Sequence, residues 1–175
     1  SVNEVEKAAK CVDIIQIPAF LCRQSELIQA AAKTGKHVNI KKGQFLSAQS
    51  MQFAAEKIKD SGNTNIILTE RGTMFGYNDL VVDYRSIPIM KSYGYPVVLD
   101  VTHSLQEPNN ISGLTGGKPK LIETIAKAGV AIGIDGIFLE THFSPNDSKS
   151  DSKNMLDLKS LEDLLIKLLR IRKSI

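Results

Sequence analysis

The sequence is poor in cysteine and has no segment that could anchor it in a membrane. Its 175 residues include only two cysteines, Cys11 and Cys22, and their spacing matches no zinc or redox motif. No secretory signal precedes them, so we expect two reduced thiols in a cytoplasmic protein. No apolar run approaches the ~20 residues that a membrane span requires. These absences argue against a disulfide-stabilised secreted protein and against a membrane protein.

Positive charge is not concentrated in any one stretch either. The chain has 22 Lys and Arg against 19 Asp and Glu, a net charge of +3, with bases and acids interleaved along the predicted helices. Nucleic-acid-binding surfaces are usually continuous basic patches. We therefore expect no nucleic-acid partner and favour a small anion as the ligand of the basic residues. The hydrophobic content of 42% predicts one globular unit with a sizeable core.

What the sequence does contain is a regular alternation of apolar runs and helical segments. The predicted strands are "VDIIQIP", "HVNIKKG", "NIILTERG", "PVVLDVTHS" and "GIFLETH", and a segment with helical periodicity follows each of them. Strands this apolar are buried on both faces, and their alternation with helices indicates a parallel sheet. An open doubly wound sheet and a (β/α)8 TIM barrel both have this order of elements.

Polar residues at the ends of the predicted strands favour the barrel. They are Gln16, Lys41, Lys42, Glu70, Arg71, Asp100, His103, Glu140 and His142. An open sheet binds its ligand at one switch point, whereas a barrel draws its site from many strand ends, and no GxGxxG or P-loop motif follows the first strand. Because a complete barrel has eight units and typically ~250 residues, we expect residues 1–175 to be the carboxyl-terminal part of a single barrel domain, with about five units.

Basic or ionisable side chains follow three successive predicted strands. Two fixed cations, Lys41 and Arg71, together with the imidazole of His103, could cradle a phosphate or a carboxylate. The alternative is that Lys41 and its neighbour Lys42 are solvated turn residues, as most lysines are. The repetition of charge at three strand ends keeps both interpretations open.

The stretch "ERGTMFGYNDLVVD" interrupts the strand and helix pattern directly after Arg71. Gly72, Phe75, Gly76 and Tyr77 open no recognisable helix. A loop with such glycines permits close approach of its backbone to a ligand, which is what we expect here.

An imidazole and two carboxylates are expected to share one rim of the fold. His103 and Glu140 follow neighbouring predicted strands, and Asp151 lies in the polar loop "THFSPNDSKSDSKN" beyond Glu140. The three side chains are a suitable ligand set for a divalent ion such as iron, zinc or manganese. The alternative is that His103 is a hydrogen-bonded general acid or a core histidine, and that Asp151 is a loop or helix-capping acid.

Several long motifs closely resemble those of 3-deoxy-D-manno-octulosonate 8-phosphate synthases. They are "VDIIQIPAFLCRQ", "VNIKKGQFLS", "TERGTMFGYNDLVVD", "DVTHSLQ", and "ETH" followed by "SD". The resemblance extends over essentially the whole chain. It implies a (β/α)8 barrel enzyme, a transferase that condenses phosphoenolpyruvate with arabinose 5-phosphate and water for lipopolysaccharide biosynthesis. The family's amino-terminal third, with its "KANRS" stretch for the sugar phosphate, is absent from this sequence.

The resemblance also implies roles for individual residues. Lys41 and Arg71 would bind the phosphate and carboxylate of phosphoenolpyruvate, and Gln16 would line the same pocket. Arg23 would reach across a subunit boundary of a homotetramer to the phosphate of arabinose 5-phosphate. His103 would contact phosphoenolpyruvate, and with Asp151 it is an expected catalytic residue.

In the metal-dependent members of the family, His103, Glu140 and Asp151 would together bind one divalent ion. The residue on the first strand that is Cys in metal-dependent and Asn in metal-independent members is absent, so neither class is excluded. The combination of "ETH" with "SDSKNML" favours the metal-dependent class. Phe143 and Ser152 depart from the family pattern, which commonly has Pro after "ETH" and Gly after "SD".

Two other interpretations are carried forward. One is an inactive, truncated barrel fragment that serves as a binding or assembly module. The other is a related phosphoenolpyruvate-condensing enzyme that makes a seven-carbon sugar acid phosphate. The choice of sugar aldehyde separates the second interpretation from the main one.

Overall fold

The computed structural model of the protein describes residues 1–74, 79–108 and 115–175. Phe75, Gly76 and Tyr77, in the loop expected to approach a ligand, therefore lie outside the described residues. The chain forms two compact units. Unit 1 consists of Ser1–Glu70 and Arg85–Val97, and unit 2 consists of Arg71–Tyr84 and Val98–Ile175.

Unit 1 is a parallel sheet with helical connections. Its elements are α1 (Val2–Ala9), β1 (Ile14–Ile17), α2 (Ser25–Lys33), β2 (His37–Lys41), α3 (Met51–Asp60), β3 (Ile66–Glu70) and α4 (Ser86–Lys91). Strand β2 lies between β1 and β3 and pairs with both in parallel. After α4 the chain returns to β3, where the N–H of Leu68 donates to the carbonyl of Pro96 at 3.0 Å.

The burial pattern of unit 1 follows the apolar runs in its sequence. Val38, Ile40 and Leu68 on the inner strands are 0% exposed, and the helices contribute Ile28 and Met51 to the same core. In contrast, β1 pairs only with β2 among the described residues, and its alternate residues are exposed. Apolar burial on both faces is what the continuous hydrophobic runs of β2 and β3 predict.

Unit 2 contains a second parallel strand pair and two packed helices. Its elements are β4 (Thr73–Met74), β5 (Leu80–Val81), β6 (Val97–Asp100, beginning at the last residue of unit 1), β7 (Gln106–Glu107), β8 (Gly116–Gly117), α5 (Ile122–Ile132), β9 (Gly136–Phe138), β10 (Thr141–His142), β11 (Leu156–Asp157) and α6 (Leu161–Arg172). Strands β6 and β9 are parallel, with Asp100 opposite Phe138. Helices α5 and α6 bury Ala126, Leu164 and Leu168.

Short strand pairs lie in the segments that follow β3, β6 and β9 along the chain. The pairs β4–β5 and β7–β8 are antiparallel, and β10–β11 is parallel. The sequence indicates only loops in these segments, because two-residue strands carry no periodic signal. These pairs matter because they position the polar residues that follow β6 and β9.

The five predicted strand and helix pairs are all present, as β1–α2, β2–α3, β3–α4, β6–α5 and β9–α6. The predicted parallel α/β architecture is therefore confirmed. Among the described residues, no helix has both the length and the apolar composition needed to cross a membrane.

Candidate active site

The segment after β6 folds around the carboxylate of Asp100, which is 0% exposed. Its Oδ1 accepts hydrogen bonds from the backbone N–H of Thr102 at 3.1 Å and of His103 at 2.8 Å, and also from the hydroxyl of Thr102. A carboxylate that accepts from backbone groups two and three residues ahead is a common way to end a strand and begin a turn. Asp100 thereby places His103 at the strand end.

The ring of His103 is oriented by the same carboxylate. Its Nδ1 lies 2.7 Å from Oδ2 of Asp100. Since an ionised carboxylate can only accept, Nδ1 carries a proton in this contact. The other ring nitrogen, Nε2, lies 3.1 Å from Oε1 of Glu140 and 3.9 Å from Oδ2 of Asp151. Phe138 lies beside the ring, with the two ring centroids 5.7 Å apart.

This arrangement requires positive charge between the imidazole and the two carboxylates. A bare lone pair on Nε2 would face the oxygens of Glu140 and Asp151, which repel it, so either a second ring proton or a cation must lie there. One ligand atom from each of the three residues lies within 4.8 Å of the others. Imidazole nitrogen with carboxylate oxygen is the donor set of iron, zinc and manganese sites. The three residues therefore fit a divalent ion, with coordination positions left for solvent or substrate.

Asp151 is presented by a loop that leaves β10 and returns at β11. The parallel pairing of these strands, Thr141 with Leu156, closes the loop at its base. Asp151 itself has a φ of 50°, a left-handed conformation that is uncommon for a residue with a side chain. Strain of this kind at a candidate ligand indicates that the surroundings hold the residue in place. Ser152, which stands where the synthases usually have Gly, has no positive φ, so serine fits there without strain.

The loop is held by Asn154, which is 1% exposed. Its backbone N–H donates to the carbonyl of Asp151 at 2.8 Å, and its Nδ2 donates to the carbonyl of Gly116 in β8 at 3.1 Å. A Cβ on the neighbouring Gly117 would lie only 1.8 Å from Oδ1 of Asn154. Glycine at position 117 is thus a packing requirement of the loop that carries Asp151.

Gln106 connects Asp151 to Arg71. Its Oε1 accepts a hydrogen bond from the guanidinium of Arg71 at 2.6 Å, and its Nε2 donates to Oδ1 of Asp151 at 2.7 Å. Arg71 is 5% exposed, which is low for arginine. The sequence patterns indicated roles for Arg71 and Asp151 but none for Gln106. Its position three residues after His103, on the same short turn, is the signal that could have drawn attention to it.

The next residue along the chain takes part in an ion-pair cluster. The ammonium of Lys118 contacts Glu107 at 3.3 Å and also hydrogen-bonds to Asp79. The hydrogen bond that Lys118 donates to Asp79, followed by the one that it donates to Glu107, raises the pKa of Lys118. Because all three side chains are substantially exposed, the cluster adds little to stability.

The remaining predicted site residues lie in unit 1. Lys41 ends β2 and is 5% exposed, and Lys42 is 0% exposed, with its Nζ 3.4 Å from Oε1 of the equally buried Glu70. The alternative that these lysines are solvated turn residues is therefore wrong, since both lie on the buried side of the strand end. Gln16 on β1 and Arg23, just after the Ala19–Leu21 turn, are exposed.

A family model described as the DAHP synthetase I family matches residues 1–175. The chain belongs to the DAHP synthetase I family. The resemblance stated from the motifs is confirmed, because curated family relatives named 2-dehydro-3-deoxyphosphooctonate aldolase align with nearly the whole chain.

Three of these family members illustrate the level of similarity. The chain is 54% identical over 168 residues to the relative from Trichlorobacter lovleyi, covering 96% of the chain and 62% of that relative. It is 50% identical over 176 residues to the relative from Koribacter versatilis, with 99% and 63% covered. It is 53% identical over 161 residues to the relative from Rhizobium meliloti, covering 92% of the chain and 58% of that relative. The chain therefore spans about three fifths of the length of these curated relatives.

Proposed function

We propose that the protein containing this chain is a 3-deoxy-D-manno-octulosonate 8-phosphate synthase. It would condense phosphoenolpyruvate, D-arabinose 5-phosphate and water to 3-deoxy-D-manno-octulosonate 8-phosphate and inorganic phosphate, a transferase reaction of lipopolysaccharide biosynthesis. The observation that carries this proposal is the set His103, Glu140 and Asp151, connected through Gln106 to the buried Arg71. The relatives' name denotes an aldolase of the same eight-carbon sugar acid phosphate.

The anion-binding part of the proposal rests on Arg71 in unit 2. A guanidinium can bind a carboxylate or a phosphate through two parallel hydrogen bonds, and a nearly buried guanidinium does so with little competition from water. We assign Arg71 to phosphoenolpyruvate. The phosphoenolpyruvate roles of Lys41 and Gln16, and the contact of Arg23 with the sugar phosphate in a homotetramer, stay predictions from the resemblance.

The reaction makes one carbon–carbon bond and one carbon–oxygen bond, and it breaks the carbon–oxygen bond to the phosphate. C3 of phosphoenolpyruvate attacks the aldehyde carbon of the sugar, water adds at C2, and the phosphate leaves from C2 with its oxygen. C2 gains positive character before water is added, and without a bound ion the carboxylates of Glu140 and Asp151 would be suited to stabilise it. The aldehyde oxygen takes up a proton while the added water gives one up, and without a bound ion His103, fixed by Asp100, would be suited to handle that proton.

We propose His103, Glu140 and Asp151 as the ligands of one divalent ion, as expected for the metal-dependent class. The support is the contact between Nδ1 of His103 and Asp100, which leaves Nε2 as the ring nitrogen that faces the two carboxylates and is available to an ion. When bound, iron, zinc or manganese would supply Lewis acidity and orient the water or the aldehyde. In a metal-independent protein, His103 and Asp151 would be the proton-handling pair instead.

Three further parts of the proposal concern the whole protein. The five strand and helix pairs support a (β/α)8 barrel of which residues 1–175 would be the carboxyl-terminal part. One edge of β1 and one edge of β9 have no partner strand among the described residues, as expected where further barrel strands would pair. A cytoplasmic homotetramer is the state that the resemblance implies.

The test is a phosphate-release assay on the complete protein. We expect release of phosphate from phosphoenolpyruvate only when arabinose 5-phosphate is present, and poor turnover with erythrose 4-phosphate. Equal turnover with the four-carbon sugar would move the assignment to a synthase of a seven-carbon product. No release with either sugar would favour the alternative of an inactive barrel fragment, which the relatives' enzyme names do not favour.

A further inference from the structure

The side-chain amide of Gln106 is bonded at both ends to proposed ligand-binding residues. Arg71 donates to its oxygen at 2.6 Å, and its nitrogen donates to Asp151 at 2.7 Å. An uncharged amide has an acceptor and a donor about 2 Å apart, so it can bridge a cation and an anion without changing the charge of either. The two partners also fix its orientation, because a flipped amide would point its NH2 at the guanidinium and its oxygen at the carboxylate.

From this bridge we propose that Gln106 is a positioning residue that couples metal binding to anion binding. The proposal rests on the proposed function, in which Arg71 binds phosphoenolpyruvate and Asp151 binds the ion. Each contact of Gln106 restricts one of these side chains, so a ligand that orders Arg71 also orders Gln106, and through it Asp151. Binding of the second ligand then costs less conformational entropy of the protein side chains, and this gives positive cooperativity.

The geometry of Asp151 makes this coupling specific. Its Oδ1 is held by Gln106, and this leaves Oδ2, 3.9 Å from Nε2 of His103, as the oxygen that faces the ion position. Without the amide, the carboxylate could rotate and present either oxygen.

The experiment measures how strongly one ligand changes the affinity for the other. Titration calorimetry on the metal-free, complete protein gives the Mn²⁺ dissociation constant with and without saturating phosphoenolpyruvate. We expect phosphoenolpyruvate to tighten Mn²⁺ binding by about tenfold in the natural protein, within the usual range for coupled sites. Attraction between the ion and the anion contributes part of this factor, so the informative quantity is its change on substitution.

Two substitutions at Gln106 remove the bridge in different ways. Gln106→Met keeps the length of the side chain but no hydrogen-bonding group. Gln106→Asn keeps the amide but is one methylene too short to reach both partners. In both variants we expect the coupling factor to fall to about threefold or less, while phosphoenolpyruvate still binds through Arg71. Gln52→Met, which removes a hydrogen bond between exposed side chains on α3, is the matched control and should keep the full factor.

Several results would overturn the proposal. They are an unchanged coupling factor in both Gln106 variants, loss of the factor in the Gln52 control as well, or no Mn²⁺ binding by the natural protein. A thermal unfolding midpoint measured for each variant separates lost coupling from lost structure, and Gln106→Asn provides the second reading if Gln106→Met unfolds. The proposed function fails separately, since phosphate release with arabinose 5-phosphate could be absent while the two ligands remain coupled.

Discussion

Asp100 has no exposed surface, and its hydrogen bonds decide which nitrogen of His103 faces the site. The sequence marked Asp100 only as one of several polar residues at strand ends. The role of Asp100 is apparent only from interatomic distances, because the tautomer of a histidine depends on which atom accepts its ring proton. A buried carboxylate behind a metal-binding histidine commonly strengthens metal binding.

The first prediction concerns the substitution Asp100→Asn. Its amide oxygen can keep the backbone hydrogen bonds, but its NH2 would then face Nδ1 of His103 and move the ring proton to Nε2. We expect Mn²⁺ affinity to fall by about 10- to 100-fold. Calorimetric titration checks this, and the exposed loop residue variant Asp147→Asn should bind like the natural protein. An affinity within twofold of natural would contradict the orienting role of Asp100.

The second prediction concerns Arg71→Met, which keeps the aliphatic stem and removes the guanidinium. Binding of phosphoenolpyruvate should weaken by about 1.5–3 kcal/mol, because a charge-assisted anion contact is lost. Titration calorimetry measures the change, and Arg170→Met on the exposed side of α6 is the control. If phosphoenolpyruvate binds both variants equally well, Arg71 is not its ligand.

At the scale of secondary-structure elements, sequence patterns predicted the long strands and helices well. The continuous apolar runs of β2 and β3 and the helical periodicity of α5 are strong signals because each repeats over many residues. The two-residue strands gave no such signal. Their pairing depends on contacts between distant segments, such as that of Asn154 with Gly116, which one stretch of sequence cannot contain. The same limit hid the bridge through Gln106, while residue chemistry alone predicted the approach of His103, Glu140 and Asp151.

The third prediction tests the contact between β8 and the loop that carries Asp151. In Gly117→Ala the new methyl would overlap the buried side chain of Asn154, so the loop must shift. We expect a loss of about 1–3 kcal/mol in the free energy of unfolding, measured by urea denaturation, and weaker Mn²⁺ binding. The double substitution Gly117→Ala with Asn154→Ala removes the overlap with Asn154 but leaves the methyl 2.7 Å from the backbone oxygen of Lys153, so it should still cost stability but less than the sum of the two single substitutions. Additive costs would show that the two residues do not interact.

At the scale of the whole molecule, the proposed metal ligands all belong to unit 2. A ligand that binds only the folded state stabilises the unit that binds it, by an amount set by its concentration relative to its dissociation constant.

Helices α5 and α6 belong to the same unit. Glu123 on α5 pairs with Lys127 of that helix and with Lys167 on α6, and hydrogen bonds from these two lysines lower its pKa to about 2.

The fourth prediction is that a divalent ion stabilises unit 2. At a Mn²⁺ concentration about 100 times its dissociation constant, the free energy of unfolding should rise by about 2.7 kcal/mol, and a chelator should reverse the change. Glu140→Gln keeps the shape of the side chain but removes a charged ligand, so most of the increase should disappear. Scanning calorimetry with and without Mn²⁺ measures this. Equal stabilisation of the natural protein and the variant would place the ion elsewhere, and none in either would favour the metal-independent class.

The backbone hydrogen bond from Asn154 to Asp151 has a consequence for the kinetics of the loop. The amide hydrogen that makes this bond belongs to a residue with 1% exposure, so it exchanges with deuterium only when the loop transiently opens. An ion bound by Asp151 together with His103 and Glu140 would hold the loop closed, so the loop would open only after the ion leaves. The exchange half-life of this one amide should therefore lengthen as the reciprocal of the ion-free fraction, so exchange at Asn154 reports how fully the site is occupied.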